Sequence, residues 1–268
     1  MPRPPRTRAD EAATPRSFGM ITEVKDTCRL YTDLAWLWPL WGDASTQYAH
    51  YGEHVTGLVR RHARRPTRTL LDIGCGGGKN VLNLARHFEV TGVDLSPAML
   101  AQAKALNPGC RFVEGDIRTF RLGRRFDAVL MDDAISHMSS RADFVAALRT
   151  AHAHLEPGGV MVATLDVTTE TFRQNRTTTT TAAREGIDVV FVENVYDPDP
   201  ADEHYETTVL YLIRDHGRLL IETDRWTMGI FALDAWRRVL HETGFEVHDS
   251  SYVVDEDAYT VFACIKPA

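Results

Sequence analysis

The sequence predicts an α/β fold: a doubly wound, seven-stranded Rossmann-like sheet with an antiparallel insertion late in the chain. Three observations carry that reading. An apolar run, Leu70-Leu71-Asp72-Ile73, stops at Gly74, Gly76, Gly77 and Gly78. A second run, Val90 to Val93, ends in Asp94, twenty residues after Gly74. Strand-like runs then alternate with helical periods. A strand that stops at spaced glycines lets its backbone pass flat against a ligand, because no Cβ intervenes. A carboxylate at the tip of the neighbouring parallel strand stands where a ribose diol can donate to it.

The elements follow in order. Helical periods at 78–88, 97–106 and 141–155 separate the strands, and the second opens with Ser96-Pro97, a capping residue followed by a proline suited to the first turn. Arg111 to Glu114 forms a third strand that leads into Gly115-Asp116-Ile117. There the acid can accept from an adenine amino group while Ile117 packs on the ring. Phe126 to Met131 is a fourth strand ending in Asp132-Asp133, and the turn Pro157-Gly158-Gly159 opens a fifth, Val160 to Leu165. Ligands of such sheets bind at the carboxyl ends of the strands, so Gly74, Asp94, Asp116 and Asp132 converge. Residues 166–186 are polar, with threonines from Thr177 to Thr181, and read as a flexible loop. Three β-type segments at 187–196, 205–214 and 218–228 then form an inserted antiparallel sheet. A helix at 232–243 ends at Gly244, and strands at 245–253 and 258–265 finish the chain, the last as the antiparallel seventh strand. The expected organisation is a disordered leader (1–19), an N-terminal helical lid (20–66) and a ligand-binding domain (67–268) carrying the insertion at 187–228.

Asp72 separates the candidate ligands. A dinucleotide site brings amides up to a pyrophosphate, which an acid before the first glycine would repel. A Walker loop needs glycine where Ile73 stands and a hydroxyl residue where Asn80 follows Lys79. S-adenosylmethionine has no phosphate and presents an α-ammonium that Asp72 can bind, so the pattern D-x-G-x-G-x-G points to that cofactor. Methyl transfer from a sulfonium is an in-line displacement, and orientation alone can contribute roughly 7–11 kcal/mol. A base is needed only to remove a proton from the acceptor. His137, just beyond the fourth strand, is the candidate base, with a packing histidine before the next helix as the plainer alternative. Trp36, Trp38 and Trp41 form either a lid over a planar or cationic acceptor or the apolar face of a packed helix.

Composition narrows the partners. The chain has 268 residues, 44% hydrophobic and 25% charged, which is enough apolar material for a sizeable core. A net charge of −7 without a basic stripe argues against nucleic acid, and no apolar run reaches spanning length, so no membrane is expected. The four cysteines (Cys28, Cys75, Cys110 and Cys264) are scattered, which predicts neither a metal site nor a disulfide framework and suits a reducing, cytoplasmic setting. The inserted sheet offers either a roof for an acceptor pocket or a face for a homodimer.

The chain also resembles a known family in Leu30-Tyr31, Asp72 to Gly76, Leu95-Ser96-Pro97-Ala98-Met99-Leu100, Gly115-Asp116-Ile117-Arg118, Leu122 to Phe126 and Ile135-Ser136-His137-Met138. It looks like the class I S-adenosylmethionine-dependent methyltransferases of bacterial secondary metabolism. It is most similar to the N,N-dimethyltransferases of nucleotide-linked amino sugars. The resemblance implies cofactor contacts from Tyr31, Asp72, Gly74, Cys75, Gly76, Asp94, Leu95, Asp116, Ile117, Met131 and Asp132, and places His137 near the accepting amine. Where the family has a histidine before the last helix, this chain has Trp226; with Trp36, Trp38 and Trp41 it makes the implied acceptor pocket more aromatic. The implied activity is methyl transfer to a nitrogen of a small-molecule acceptor. The alternatives are an O-methyltransferase and a non-methylating enzyme that uses the same cofactor.

Overall fold

The computed structural model describes residues 28–254 and 257–268; the expected leader (1–19) and the first part of the expected lid lie outside them. A helix, α1 (Gln47–His62), leads into β1 (Thr69–Ile73), α2 (Lys79–Leu84), β2 (Glu89–Asp94), α3 (Pro97–Leu106), β3 (Arg111–Glu114), β4 (Phe126–Met131), α4 (Arg141–His154) and β5 (Leu155–Leu165). These five strands are parallel and run in the spatial order 3-2-1-4-5. The order reverses between β1 and β4, which is where a doubly wound sheet opens its ligand crevice. Every residue of β4 is buried, as expected for a strand covered by helices on both faces. Ser96 and Ser140 cap α3 and α4, each accepting the backbone N–H three residues on. The helix expected at 78–88 is shorter than its pattern, and the chain turns after Leu84.

An antiparallel sheet intervenes before the last helix: β6 (Arg176–Arg184), β7 (Ile187–Tyr196), β8 (His204–Asp215) and β9 (Arg218–Gly229), in that spatial order. The expectation of three strands over 187–228 is corrected to four over 176–229. The threonines read as a loop form β6, paired residue by residue with β7 from Arg176↔Val195 to Arg184↔Ile187. An edge strand with nearly every side chain in solvent lacks the alternation that marks a half-buried strand, so its polarity masked its β-branched character. Two-residue turns join β6 to β7 at Glu185-Gly186 and β8 to β9 at His216-Gly217. All four residues have positive φ, as the hairpin turns matched to strand twist require.

The chain closes with α5 (Leu233–Glu242), β10 (Glu246–Val254) and β11 (Asp257–Ile265). β11 runs antiparallel between β5 and β10 and completes the seven-stranded sheet. Gly244, with φ +99°, ends α5. Three apolar clusters result. One packs α4 and α5 on one face of the large sheet; a second packs α1, α2 and α3 on the other. The third joins the inner face of the small sheet to Leu30, Leu34 and Leu37 of an N-terminal segment made of two short 3-10 helices, Arg29–Tyr31 and Ala35–Leu40.

Phe144 anchors the first cluster, stacked on Phe231 with centroids 4.8 Å apart and edge-on to Trp236 at 4.3 Å. Phe144→Ala should therefore lose about 3–5 kcal/mol in urea unfolding.

Candidate active site

The tips of β1 and β2 are tied through the glycine turn. Gly74 has φ +76°, and a Cβ there would lie 2.1 Å from the Ala134 Cβ, so the position takes no side chain. The N–H groups of Gly74 and Cys75 donate to the Val93 carbonyl at 2.7 and 3.0 Å. The Gly76 N–H donates to Asp94 Oδ2 and the Ser96 N–H to Asp94 Oδ1, both at 2.8 Å. Burial raises the Asp94 pKa, and these donors oppose the rise. Asp72 is 1% exposed and its Oδ2 has no hydrogen-bond partner. Burial, then the charges of Asp132 and Asp94, push its pKa well above the carboxylate range. A buried acceptor without a donor is costly, and a cationic ligand group beneath the turn would satisfy it.

Other strand-tip residues are placed as follows. Asp132 accepts from the Tyr51 hydroxyl and the Asn80 amide, both at 3.0 Å, and lines the cleft. Asp116 is held by the Arg118 guanidinium, which lowers its pKa. Leu95 stands exposed beyond Asp94, whereas Ile117 and Met131 belong to the core under α4 and α5.

Above the turn lies an aromatic wall. Trp38 lies over Gly76 and Gly77, and the Lys79 ammonium donates to the carbonyls of Trp38 (2.8 Å), Gly42 (3.1 Å) and Trp41. Burial pushes the Lys79 pKa down to about 8. Tyr31 meets Trp38 at 5.9 Å, Trp226 at 5.6 Å and His137 at 5.4 Å between centroids. Trp226 also meets Trp41 and His137, each at 6.2 Å. His137 thus borders the wall from a short 3-10 helix after β4 (Asp133–His137). Trp36 is not brought to the cleft: it is 45% exposed on the far side of its 3-10 turn.

The wall, the strand tips and the small sheet enclose a cleft of about 1180 Å³. Sequence reasoning placed Asp133 at the end of the fourth strand but missed Asp166, Glu193 and Tyr51 of this lining. Asp133 reaches the cleft's solvent, yet enclosure by its walls, then the charges of Asp166, Asp132 and Glu193, push its pKa well up. Burial and Asp166 push Glu193 up to about 7. A signal existed for Glu193: alternation along β7 puts it on the same face as buried Val189 and Phe191, an acid in an apolar register. Tyr51, in α1, reaches Asp132 and the Thr164 hydroxyl from a helix whose sequence carried no such mark.

Comparisons with known proteins now bear on this geometry. The family described as a methyltransferase domain matches residues 70–159. A dTDP-3-amino-3,6-dideoxy-alpha-D-glucopyranose N,N-dimethyltransferase of Streptomyces fradiae is 42% identical over 117 residues, covering 43% of this chain and 46% of that protein. A dTDP-3-amino-3,4,6-trideoxy-alpha-D-glucopyranose N,N-dimethyltransferase of Streptomyces venezuelae is 33% identical over 150 residues, covering 55% and 62%. The matches thus span about half the length of the curated relatives. The crystal structure of Streptomyces venezuelae DesVI superposes with a TM-score of 0.75 at 26% identity, over 88% of this chain and 96% of that one. The resemblance to amino-sugar N,N-dimethyltransferases read from the sequence stands, and so does the Rossmann-like methyltransferase fold.

A Cβ on Gly77 would lie 2.4 Å from Trp38 Cδ1. Gly77→Ala should displace Trp38, cost about 1–3 kcal/mol by overpacking and shift tryptophan emission. Gly109→Ala, where a Cβ meets open space, should change neither the urea midpoint nor the emission.

Proposed function

We propose that the chain transfers a methyl group from S-adenosylmethionine to an amine of a small-molecule acceptor, of the amino-sugar class named in its relatives. The observation that carries this reading is Asp72: a buried carboxylate whose Oδ2 lacks a donor, directly beneath a turn that only glycine can form. Bound there, S-adenosylmethionine supplies an electrophilic methyl on a positively charged sulfur. Asp72 accepts from its α-ammonium. Asp94 keeps lone pairs for the ribose hydroxyls beyond those given to Gly76 and Ser96. Asp116 accepts from the adenine amino group, with Leu95 and Ile117 flanking the ring. The glycine turn from Gly74 through Cys75 to Gly76, with the backbone at Met131 and the Asp132 carboxylate, closes the cofactor side.

The acceptor side follows from charge. Tyr31, Trp38, Trp41 and Trp226 exclude water and offer π faces that attract a cation. Asp133 and Glu193 hold the acceptor as an ammonium and take the proton it must lose before its nitrogen becomes nucleophilic. His137, against Tyr31 and Trp226, is the second group able to take that proton. The nitrogen acceptors named for the two N,N-dimethyltransferases agree with this lining, since an ammonium gains charge pairing from these carboxylates where a neutral hydroxyl gains only a hydrogen bond.

Calorimetry with S-adenosylmethionine and transfer of its isotopically labelled methyl to an amino-sugar acceptor test the proposal; folded protein with no affinity for the cofactor would sink it. Asp72→Asn should weaken cofactor binding about 10- to 100-fold, the cost of one charge-assisted hydrogen bond, without lowering the thermal midpoint. Burial raises Glu193 from 4.5 to about 7, so the folded state keeps this proton to higher pH than the unfolded chain. Its contribution to stability therefore falls as pH rises from about 4.5 through about 7. Glu193→Gln should flatten that fall in urea midpoints between pH 5 and pH 8. It should also remove a rise in methyl transfer through pH 7, and a limb that survives in Glu193→Gln but vanishes in His137→Ala would give the base role to His137.

A further inference from the structure

We infer that Asp224 is the positioning residue of the acceptor wall, one buried carboxylate oxygen fixing both the Trp226 indole and the backbone that carries Tyr31. This rests on the methyl-transfer reading for its kinetic consequence, though not for its geometry. Alternation along β9 turns Asp224, Trp226 and Met228 inward, so a buried acid stands beside two apolar side chains of the third cluster. Asp224 is fully buried. Its Oδ2 accepts the Trp226 indole N–H at 2.7 Å and the Leu30 backbone N–H at 2.9 Å, while Oδ1 accepts the Arg225 N–H at 2.9 Å.

Each donor matters to the site. An indole has a single N–H, so its bond to Asp224 pins that edge of the ring while the ring face stays against Tyr31 and Trp41. Leu30 precedes Tyr31, whose own carbonyl accepts from the Ser96 hydroxyl at the tip of β2. The chain from Asp224 through Leu30 and Tyr31 to Ser96 therefore links the small sheet to the strand tip that holds Asp94. A carboxylate suits the task because bonds to an ionised acceptor are shorter and about twice as strong as neutral ones. A neutral amide in its place presents one oxygen where the carboxylate gives two, and turns its own N–H groups toward at least one of the donors. Asp224 touches neither ligand in this account; it acts through Trp226 and Tyr31.

The test uses the full chain with Asp224→Asn, Trp226→Phe and the double variant. In ¹H–¹⁵N spectra the Trp226 indole resonance, identified by its loss in Trp226→Phe, should lie downfield in the wild type and move upfield in folded Asp224→Asn. The KM for the amine acceptor should rise about tenfold or more in each single variant, with a much smaller change in the KM for S-adenosylmethionine. The double variant should be no worse than the worse single one. An unmoved indole resonance in folded Asp224→Asn, or additive effects in the cycle, would overturn the assignment. Should Asp224→Asn fail to fold, Trp226→Phe decides alone, because it keeps the carboxylate and the Leu30 bond; an unchanged acceptor KM would then overturn it. Absence of methyl transfer by the wild type would count against the proposed reaction only, since the indole shift is read without any substrate.

Discussion

The site depends on the tie between two strand tips, in which the Asp94 carboxylate accepts from Gly76 on one side and Ser96 on the other. That pair of bonds fixes the glycine turn against β2, and the turn's lack of side chains is what brings bare backbone to a ligand. A Cβ at Gly74 would strike Ala134, and one at Gly77 would strike Trp38. The turn is thus enclosed from below by the helix after β4 and from above by the N-terminal segment. Its shape is set by three separate stretches of chain.

The N-terminal segment is correspondingly over-determined. The Rossmann-like body grips it through Lys79, which donates to carbonyls at and just past the end of the second 3-10 helix, through Gln102 on the Ala35 carbonyl, and through Ser96 on that of Tyr31. The small sheet grips it through Asp224 and through the Arg29–Glu222 pair. Apolar packing of Leu30, Leu34 and Leu37 lies between these two sets of bonds. A short segment without long helices gains little from local propensity and is held by its neighbours. The same neighbours build the walls of the cleft, so placing the segment and forming the cleft are one event.

What could be read from the sequence divides along the same line. Local rules found β1, β2 and α3, because glycine spacing, a strand-tip acid and a Ser-Pro cap act over a few residues. They missed β6, whose two faces both meet solvent and so carry no alternation. They also set Trp36 beside Trp38 and Trp41, although the tight 3-10 turn sends its ring outward while its neighbours face in. Asp166, Glu193 and Tyr51 come from three different elements, and their meeting in one cleft is a tertiary fact. Only Glu193 left a trace, as an acid in an apolar register.

The electrostatics of the cleft follow from the proposed reaction. A sulfonium donor with its own ammonium, and an acceptor that arrives protonated, bring three positive charges into one enclosed space, where Coulomb repulsion is screened far less than in water. Asp72 stands beneath the glycine turn for the cofactor's ammonium, and Asp133 and Glu193 stand across the cleft for the acceptor's. Their raised pKa values express the cost of this arrangement when the cleft holds no cation, because enclosure and mutual repulsion both disfavour the ionised forms. That cost is borne by three well-packed cores that take no part in the chemistry, the usual relation between a strained site and the fold around it. A cation entering the cleft relieves the penalty it finds there, so part of its binding free energy comes from charges the protein already holds in unfavourable surroundings. An anionic acceptor would add to the penalty instead, and under the proposed reaction that asymmetry favours an amine.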